Sequence, residues 1–227
     1  RAAVDMALYD LAAKALDVTL VDLLGACHEA VGTSITIGIM SVAETLEEAE
    51  EYVGRGFRWL KVKIGNRFDE DVERIRKLRE RFGERVAIRV DMNQGYDATE
   101  TASFYQSMAG LEVEFAEQPV PAAAAGDLAE LPSEVRHWIA LDESLHAPAD
   151  AFRLAAGELC GVFNIKLMKC GGIRPALAIA DIAGAAGLEL MWGCMDESVV
   201  SIAAALHAAF ASPATRYLDL DGSFDLA

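Results

Sequence analysis

Lys61 and Lys63 lie two residues apart in the stretch Leu60-Lys61-Val62-Lys63-Ile64. Side chains alternate across a β-strand, so this spacing predicts both lysines on one face and Leu60, Val62 and Ile64 on the other. Two ammonium groups held side by side, in a partly desolvated setting, favour the neutral amine. A neutral lysine is a base: Lys63 reads as a group that removes a proton from carbon, with Lys61 tuning it. Asp91, Glu117 and Asp142 are the residues that could make such a proton acidic, because each closes an apolar, strand-like run. Three carboxylates a few ångströms apart do not all stay ionised without a cation. Hard oxygen donors suit Mg²⁺, or Mn²⁺ in its place. The rival account, in which each acid caps the following helix or pairs with a nearby Arg or Lys, explains any one of them better than all three together.

The elements that must position these groups alternate in type. Residues 1–25 carry apolar positions at helical spacing and predict a helix ending near Gly25. A β-branched strand over Ser34–Met40 follows. Ser41 then opens a helix with Glu44 completing a capping box. Strand-like and helix-like stretches alternate from there: helices over Asp69–Arg81, Ala98–Met108, Ala149–Glu158, Pro175–Ala186 and Val199–Phe210, and strands over Val86–Asp91, Val113–Glu117, Trp138–Asp142, Val162–Met168, Leu188–Trp192 and Arg216–Asp221. Pro119, Pro121 and Ala122–Ala125 read as a loop. The polar residues Lys63, Asp91, Glu117, Asp142 and Lys166 recur every 24–28 residues, the length of one βα unit. Eight such units predict an α/β fold, a (β/α)8 TIM-type barrel whose active site is built at the C-terminal ends of its strands. An open doubly wound sheet is the alternative, but no Gly-rich phosphate turn follows the first strand.

Composition bounds the partners. The chain has 227 residues, 53% of them hydrophobic, enough for one large core. Its 36 acidic and 20 basic residues give a net charge of −16, which argues against nucleic acid or an anionic membrane as partner. Cys27, Cys160, Cys170 and Cys194 show no CxxC spacing and read as reduced thiols of a cytoplasmic protein. No signal peptide is found, and the apolar run near Ile202–Ala211 is a core helix rather than a membrane span.

Five stretches carry a resemblance: Lys61-Val62-Lys63; Val90-Asp91-Met92-Asn93-Gln94-Gly95; Glu117-Gln118-Pro119; Asp142-Glu143-Ser144; and Asn164-Ile165-Lys166-Leu167-Met168-Lys169-Cys170-Gly171-Gly172. In this order and spacing the chain resembles the enolase superfamily, in its muconate lactonizing enzyme subgroup. The resemblance implies Mg²⁺ held by Asp91, Glu117 and Asp142, with Asn93 supporting that site. It also implies acid/base lysines Lys63 and Lys166 on opposite faces of the substrate. A metal-bound carboxylate would stabilise the enediolate left by proton removal, and the two lysines would invert the carbon. Lys169, three residues past Lys166, reads as structural.

Leu218-Asp219-Leu220-Asp221-Gly222 narrows the substrate. On residues alone it could be an Asp-Gly turn with a stray rim acid. Within the subgroup, an Asp-x-Asp in this place is similar to that of the dipeptide epimerases, where the pair holds the substrate's N-terminal ammonium. Glu197, in Met195-Asp196-Glu197-Ser198, would help order that site. The implied function is a 1,1-proton transfer at the C-terminal residue of a dipeptide such as L-Ala-L-Glu, by a small-molecule enzyme that assembles as a homo-oligomer. Alternatives are o-succinylbenzoate synthase, N-acylamino acid racemase or muconate cycloisomerase activity, or an inactive metal-binding barrel used in assembly. The family carries an N-terminal capping domain with no counterpart here, so residues 1–25 are expected to be its joining helix and 26–227 the barrel. His28, His137, His146 and His207 share no metal-ligand spacing. Trp59, Trp138 and Trp192 read as core or rim, and Glu47–Glu51 as a solvated face.

Overall fold

The computed structural model describes residues 1–224; the last three residues of the expected barrel span, 225–227, lie outside them. Helices α1 (Ala2–Ala15) and α2 (Leu20–Leu24) replace the single helix expected over 1–25. The break is at Asp17, whose φ of 55° no helical L-residue adopts. Thr19 restarts the helix by accepting the Asp22 amide on its side chain. Strand β1 (Ile35–Ile37) precedes α3 (Val42–Gly54), and Ser41 and Glu44 form the expected capping box. Then come β2 (Trp59–Lys63), α4 (Phe68–Phe82), β3 (Ala87–Asp91), α5 (Ala98–Ser107) and β4 (Val113–Glu117).

The expected loop after β4 is instead a 3₁₀ segment over Ala122–Glu130, followed by the short α6 (Ser133–His137) and β5 (Ile139–Leu141). Pro121 and Pro132 bracket the 3₁₀ segment, and its alanines supply no period that pattern reading could detect. After α7 (Pro148–Ala156), strand β6 (Val162–Ile165) is shorter than expected, because Lys166 already caps a four-residue helix, α8 (Leu167–Cys170). Gly171, in the left-handed conformation, closes α8 before α9 (Ile173–Ala185) begins. The chain ends on β7 (Glu189–Gly193), α10 (Val199–Phe210) and β8 (Thr215–Asp219).

Eight parallel strands alternate with helices and follow one another in chain order, the (β/α)8 TIM-type class. Sequential order excludes the doubly wound alternative, in which strand order reverses at a switch point. No helix among the described residues is long and apolar enough to cross a membrane.

Two compact units carry these elements. The first, Ser34–Ser144 with Glu158–Gly161, contains β1 to β5. Its core joins the outer strand residues Leu60, Val62, Ile88 and Val90 to Ile75 and Leu78 of α4 and Phe104 of α5, all fully buried. Burying each such side chain contributes about 1.5–3 kcal/mol. The register sets the height of the polar residues: Lys63 is the Cα partner of Asp91, and Asp91 that of Glu117. The second unit, Arg1–Thr33, Leu145–Gly157 and Val162–Ala227, contains β6 to β8. There Ile165 pairs with Trp192, and Gly193 with Asp219. Trp192 is fully buried, its indole N–H donating to Thr215 Oγ1 at 2.8 Å. Asp5 of α1 caps α9 from outside, its Oδ2 accepting the Ile173 amide at 2.6 Å.

Candidate active site

In the first unit, Lys61, Asp91, Glu117 and Asp142 are all buried, and Lys63 is half-buried. Asp91 and Glu117 are the last residues of adjacent strands, and Asp142 follows the last residue of β5. Alternation puts Lys61 and Lys63 on the same face of β2 as these acids. The Lys61 ammonium lies 3.5 Å from Glu117 Oε2 and 3.8 Å from Asp91 Oδ2, and Lys63 lies 3.9 Å from Asp91 Oδ2. Lys61 thus bridges two acids while Lys63 is the lysine with exposed surface. Buried charges persist only when paired or coordinated, and the Lys61 and Lys63 ammoniums together leave the three carboxylates with one charge in excess.

Among the described residues no three His, Cys, Asp or Glu side chains are drawn together as a ready ligand shell. The donor chemistry nonetheless fits a hard divalent cation: three buried carboxylates on neighbouring strands, all-oxygen, with net negative charge after Lys61 and Lys63 are counted. Glu143 reports the same field. Desolvation raises its carboxyl above the usual range, and the charges of Asp142 and Asp91 push it further.

Two residues organise this rim. Asn93, at φ 41°, accepts from Lys63 Nζ at 3.0 Å, donates its backbone amide to Asp91 Oδ1 at 3.0 Å and approaches Glu143 Oε1 at 3.4 Å. Gln118, fully buried, accepts the backbone amides of Asp142 (2.9 Å) and Ser144 (3.1 Å) on Oε1 and donates Nε2 to Val120 O and Ser144 Oγ, both at 2.8 Å. One side-chain amide therefore fixes the chain leaving β4 to the chain leaving β5. Sequence reading placed Gln118 and Glu143 inside motifs without a role. The available signal was an amide flanked by Glu117 and Pro119 where a loop residue would otherwise face water.

In the second unit, Lys166 and Asn164 are buried at the end of β6. Lys169 belongs to α8 and donates to the Asn164 carbonyl at 3.2 Å, the structural part expected of it. Asp219 ends β8 and Asp221 lies two residues beyond it, so the strand stops short of the expected Asp221. The strand ends early because the Leu220 amide is taken by Thr33 Oγ1 at 3.0 Å instead of a sheet partner. Both aspartates are still buried. Glu197 accepts the Met195 amide at 2.9 Å and the Ser201 hydroxyl, so it ties the β7 loop to α10. His207 accepts the Val21 amide on Nδ1 at 3.2 Å, a packing role.

Residues 44–226 match the enolase C-terminal domain-like family, and residues 1–25 match the N-terminal domain of mandelate racemase/muconate lactonizing enzyme. The chain is 58% identical over 227 residues to the L-Lys-D/L-Arg epimerase of Desulforapulum autotrophicum, covering all of this chain and 64% of that protein. It is 38% identical over 224 residues to the L-Ala-D/L-Glu epimerase of Clostridium acetobutylicum, covering 98% of this chain and 63% of that protein. The crystal structure of the dipeptide epimerase from Methylococcus capsulatus complexed with Mg and the dipeptide L-Arg-D-Lys superposes with a TM-score of 0.98 at 57% identity, over all of this chain and 64% of that one. The chain thus spans about 64% of the length of these relatives. With its strand order, its rim of acids and lysines and this match over most of its length, the chain belongs to the enolase C-terminal domain-like family.

Proposed function

We propose that this protein is a Mg²⁺-dependent dipeptide epimerase acting on dipeptides with cationic side chains. The observation that carries the reading is that a buried acid and lysine rim occurs in a chain 57–58% identical to two L-Lys-D/L-Arg epimerases, against 38% for L-Ala-D/L-Glu and hydrophobic dipeptide epimerases. The cationic preference narrows the expectation of L-Ala-L-Glu or a related dipeptide. Residues 1–25, matched by the family's N-terminal domain, are read as the segment joining such a domain to the barrel.

In this reading Asp91, Glu117 and Asp142 hold Mg²⁺, and Asn93 orients Asp91. When bound, the ion supplies Lewis-acid stabilisation of negative charge on the substrate's carboxylate. Lys63 and Lys166 then divide the proton work. The neutral amine of one takes the α-proton of the C-terminal residue, and the ammonium of the other returns a proton to the opposite face. Lys61, paired to Asp91 and Glu117, offsets part of the acids' charge. Asp219 and Asp221 receive the substrate's N-terminal ammonium, a charge-assisted contact that an N-acylated amino acid cannot make.

The test is proton NMR of the whole protein with Mg²⁺ in D₂O, offered L-Arg-L-Lys beside L-Ala-L-Glu. Loss of the second residue's α-proton signal with inversion, faster for L-Arg-L-Lys, is the expected result. Lys63→Ala and Lys166→Ala each abolish inversion. Faster turnover of L-Ala-L-Glu would overturn the cationic preference, and undiminished inversion in either lysine variant would overturn the two-base assignment.

A further inference from the structure

Gly193 is the last residue of β7, and nothing in its backbone requires glycine: its φ is not in the left-handed region. Space is the requirement. A Cβ built on Gly193 would lie 2.6 Å from Asn164 Oδ1, 3.0 Å from Asn164 Nδ2 and 3.1 Å from Lys166 Cε. Real Cβ atoms essentially never come within 3.0 Å of a neighbour, so the Asn164 amide would have to shift. The approach to Lys166 Cε is tight enough that the lysine stem would give by a few tenths of an ångström; the missing side chain is the room in which both lie. The register agrees, since Ile165 is the Cα partner of Trp192 and the next residues along, Lys166 and Gly193, stand side by side.

We infer that Gly193 is a positioning residue for Lys166: the bare end of β7 sets where the Lys166 amine stands. The inference rests on the two-base reading above and adds a determinant to it. The groups that must give way to a methyl at 193 are the ends of two side chains and not backbone. The fold therefore absorbs Gly193→Ala, while the lysine stem and the neighbouring amide move. Lys166 is buried and has little slack to restore its amine by another rotamer. Lys63 stands on β2, in the other compact unit.

This predicts a one-sided defect. A two-base epimerase exchanges the α-proton of one epimer through one lysine and that of the other epimer through its partner, so solvent deuterium uptake from L-Arg-L-Lys and from L-Arg-D-Lys reads the two bases separately. In the whole protein with Mg²⁺, Lys63→Ala and Lys166→Ala first identify which epimer each lysine serves. Gly193→Ala then lowers uptake from the Lys166-dependent epimer by about tenfold, since Lys166 Cε must give by a few tenths of an ångström and a full 1 Å misplacement costs about 10²-fold, and leaves uptake from the Lys63-dependent epimer near wild type. Asn164→Ala/Gly193→Ala, compared with Asn164→Ala alone, removes the closer contact and is read in the same way if the single variant does not fold. Equal loss from both epimers, or no loss from either, in a chain whose lysine variants do divide the two epimers overturns the role of Gly193. Lysine variants that fail to divide the epimers overturn the two-base reading instead.

Discussion

The Lys63 ammonium donates to Asn93 Oδ1 at 3.0 Å. Through its own backbone amide the same asparagine donates to Asp91 Oδ1 at 3.0 Å, so one exposed loop residue couples a lysine of β2 to an acid on the next strand. Asn93 can do this because it sits at φ 41°, a conformation Asn tolerates better than most residues.

Asn93→Ala removes the side-chain acceptor of Lys63 and also strains the backbone, whereas Asn93→Gly removes the acceptor and keeps the conformation at ease. Both variants keep the backbone amide on Asp91 and lose the acceptor of Lys63. Under the proposed function both should therefore lower kcat by about 10–100-fold, the worth of a hydrogen bond to a charged group, and leave the Mg²⁺ concentration for half-activation near wild type. Comparing the two isolates the strain, roughly 1–2 kcal/mol, in thermal stability rather than in kcat. Wild-type kcat in Asn93→Gly would show that the Lys63–Asn93 contact has no part in turnover.

A second polar network lies among the loops that follow β1, β2 and β3. Asp71, buried in α4, accepts the Gly65 amide at 2.9 Å, the Arg67 amide at 3.3 Å and the Tyr96 hydroxyl at 3.0 Å, and it pairs with Arg74 at 2.5 Å. Arg74 reaches on to the Met40 carbonyl at 2.6 Å. Burial raises the Tyr96 phenol well above its ordinary value, and the charge of Asp71 raises it further. The folded-state value is above the unfolded one, near 10, so this stabilisation is fully present below pH 10 and declines as pH rises beyond it, by up to about 1.4 kcal/mol per pH unit. Urea midpoints measured from pH 8 to 11 should fall less steeply above pH 10 in Tyr96→Phe than in wild type. At neutral pH the variant should lose about 1 kcal/mol, because Asp71 gives up one donor. Parallel pH profiles for the two proteins would contradict this account of Tyr96.

The sequence carried the parts of this structure that repeat or that use local chemistry. Val113–Glu117 and Val199–Phe210 occur with the bounds that alternation and helical spacing predict, and the Ser41–Glu44 capping box needs only four residues to be recognised. The acids and lysines were legible because strand ends recur at a constant interval. Short and aperiodic elements were not: a four-residue helix beginning after Lys166 reads as more strand, and an alanine-rich 3₁₀ segment reads as loop. Contacts distant in sequence were also beyond reach. That Gln118 bridges two loops, or that Gly193 packs against Asn164 and Lys166, depends on which strands become neighbours and not on any local pattern.

Cys194 is a third such case, and it bears on the ammonium site proposed for Asp219 and Asp221. Its thiol donates to the Asp219 carbonyl at 3.3 Å, its sulfur accepts the Gly222 amide at 3.3 Å, and it lies 3.9 Å from Asp221 Oδ1. A Cβ on Gly222 would lie 2.1 Å from the Met195 carbonyl, so the turn carrying Asp221 is packed directly against the chain leaving β7. One sulfur therefore spans the segment that carries both aspartates. Cys194→Val keeps the bulk and removes both hydrogen bonds, while Cys194→Ser keeps them in shorter form. Loss of about 1 kcal/mol of positioning corresponds to about a fivefold rise in KM for L-Arg-L-Lys in the valine variant, with kcat changed less, because the proton-transfer lysines are not touched. The serine variant should recover most of that KM. A valine variant that folds with KM unchanged would mean that Asp219 and Asp221 are held without the sulfur. A fall in kcat alone would mean that Cys194 acts on the chemistry rather than on the ammonium.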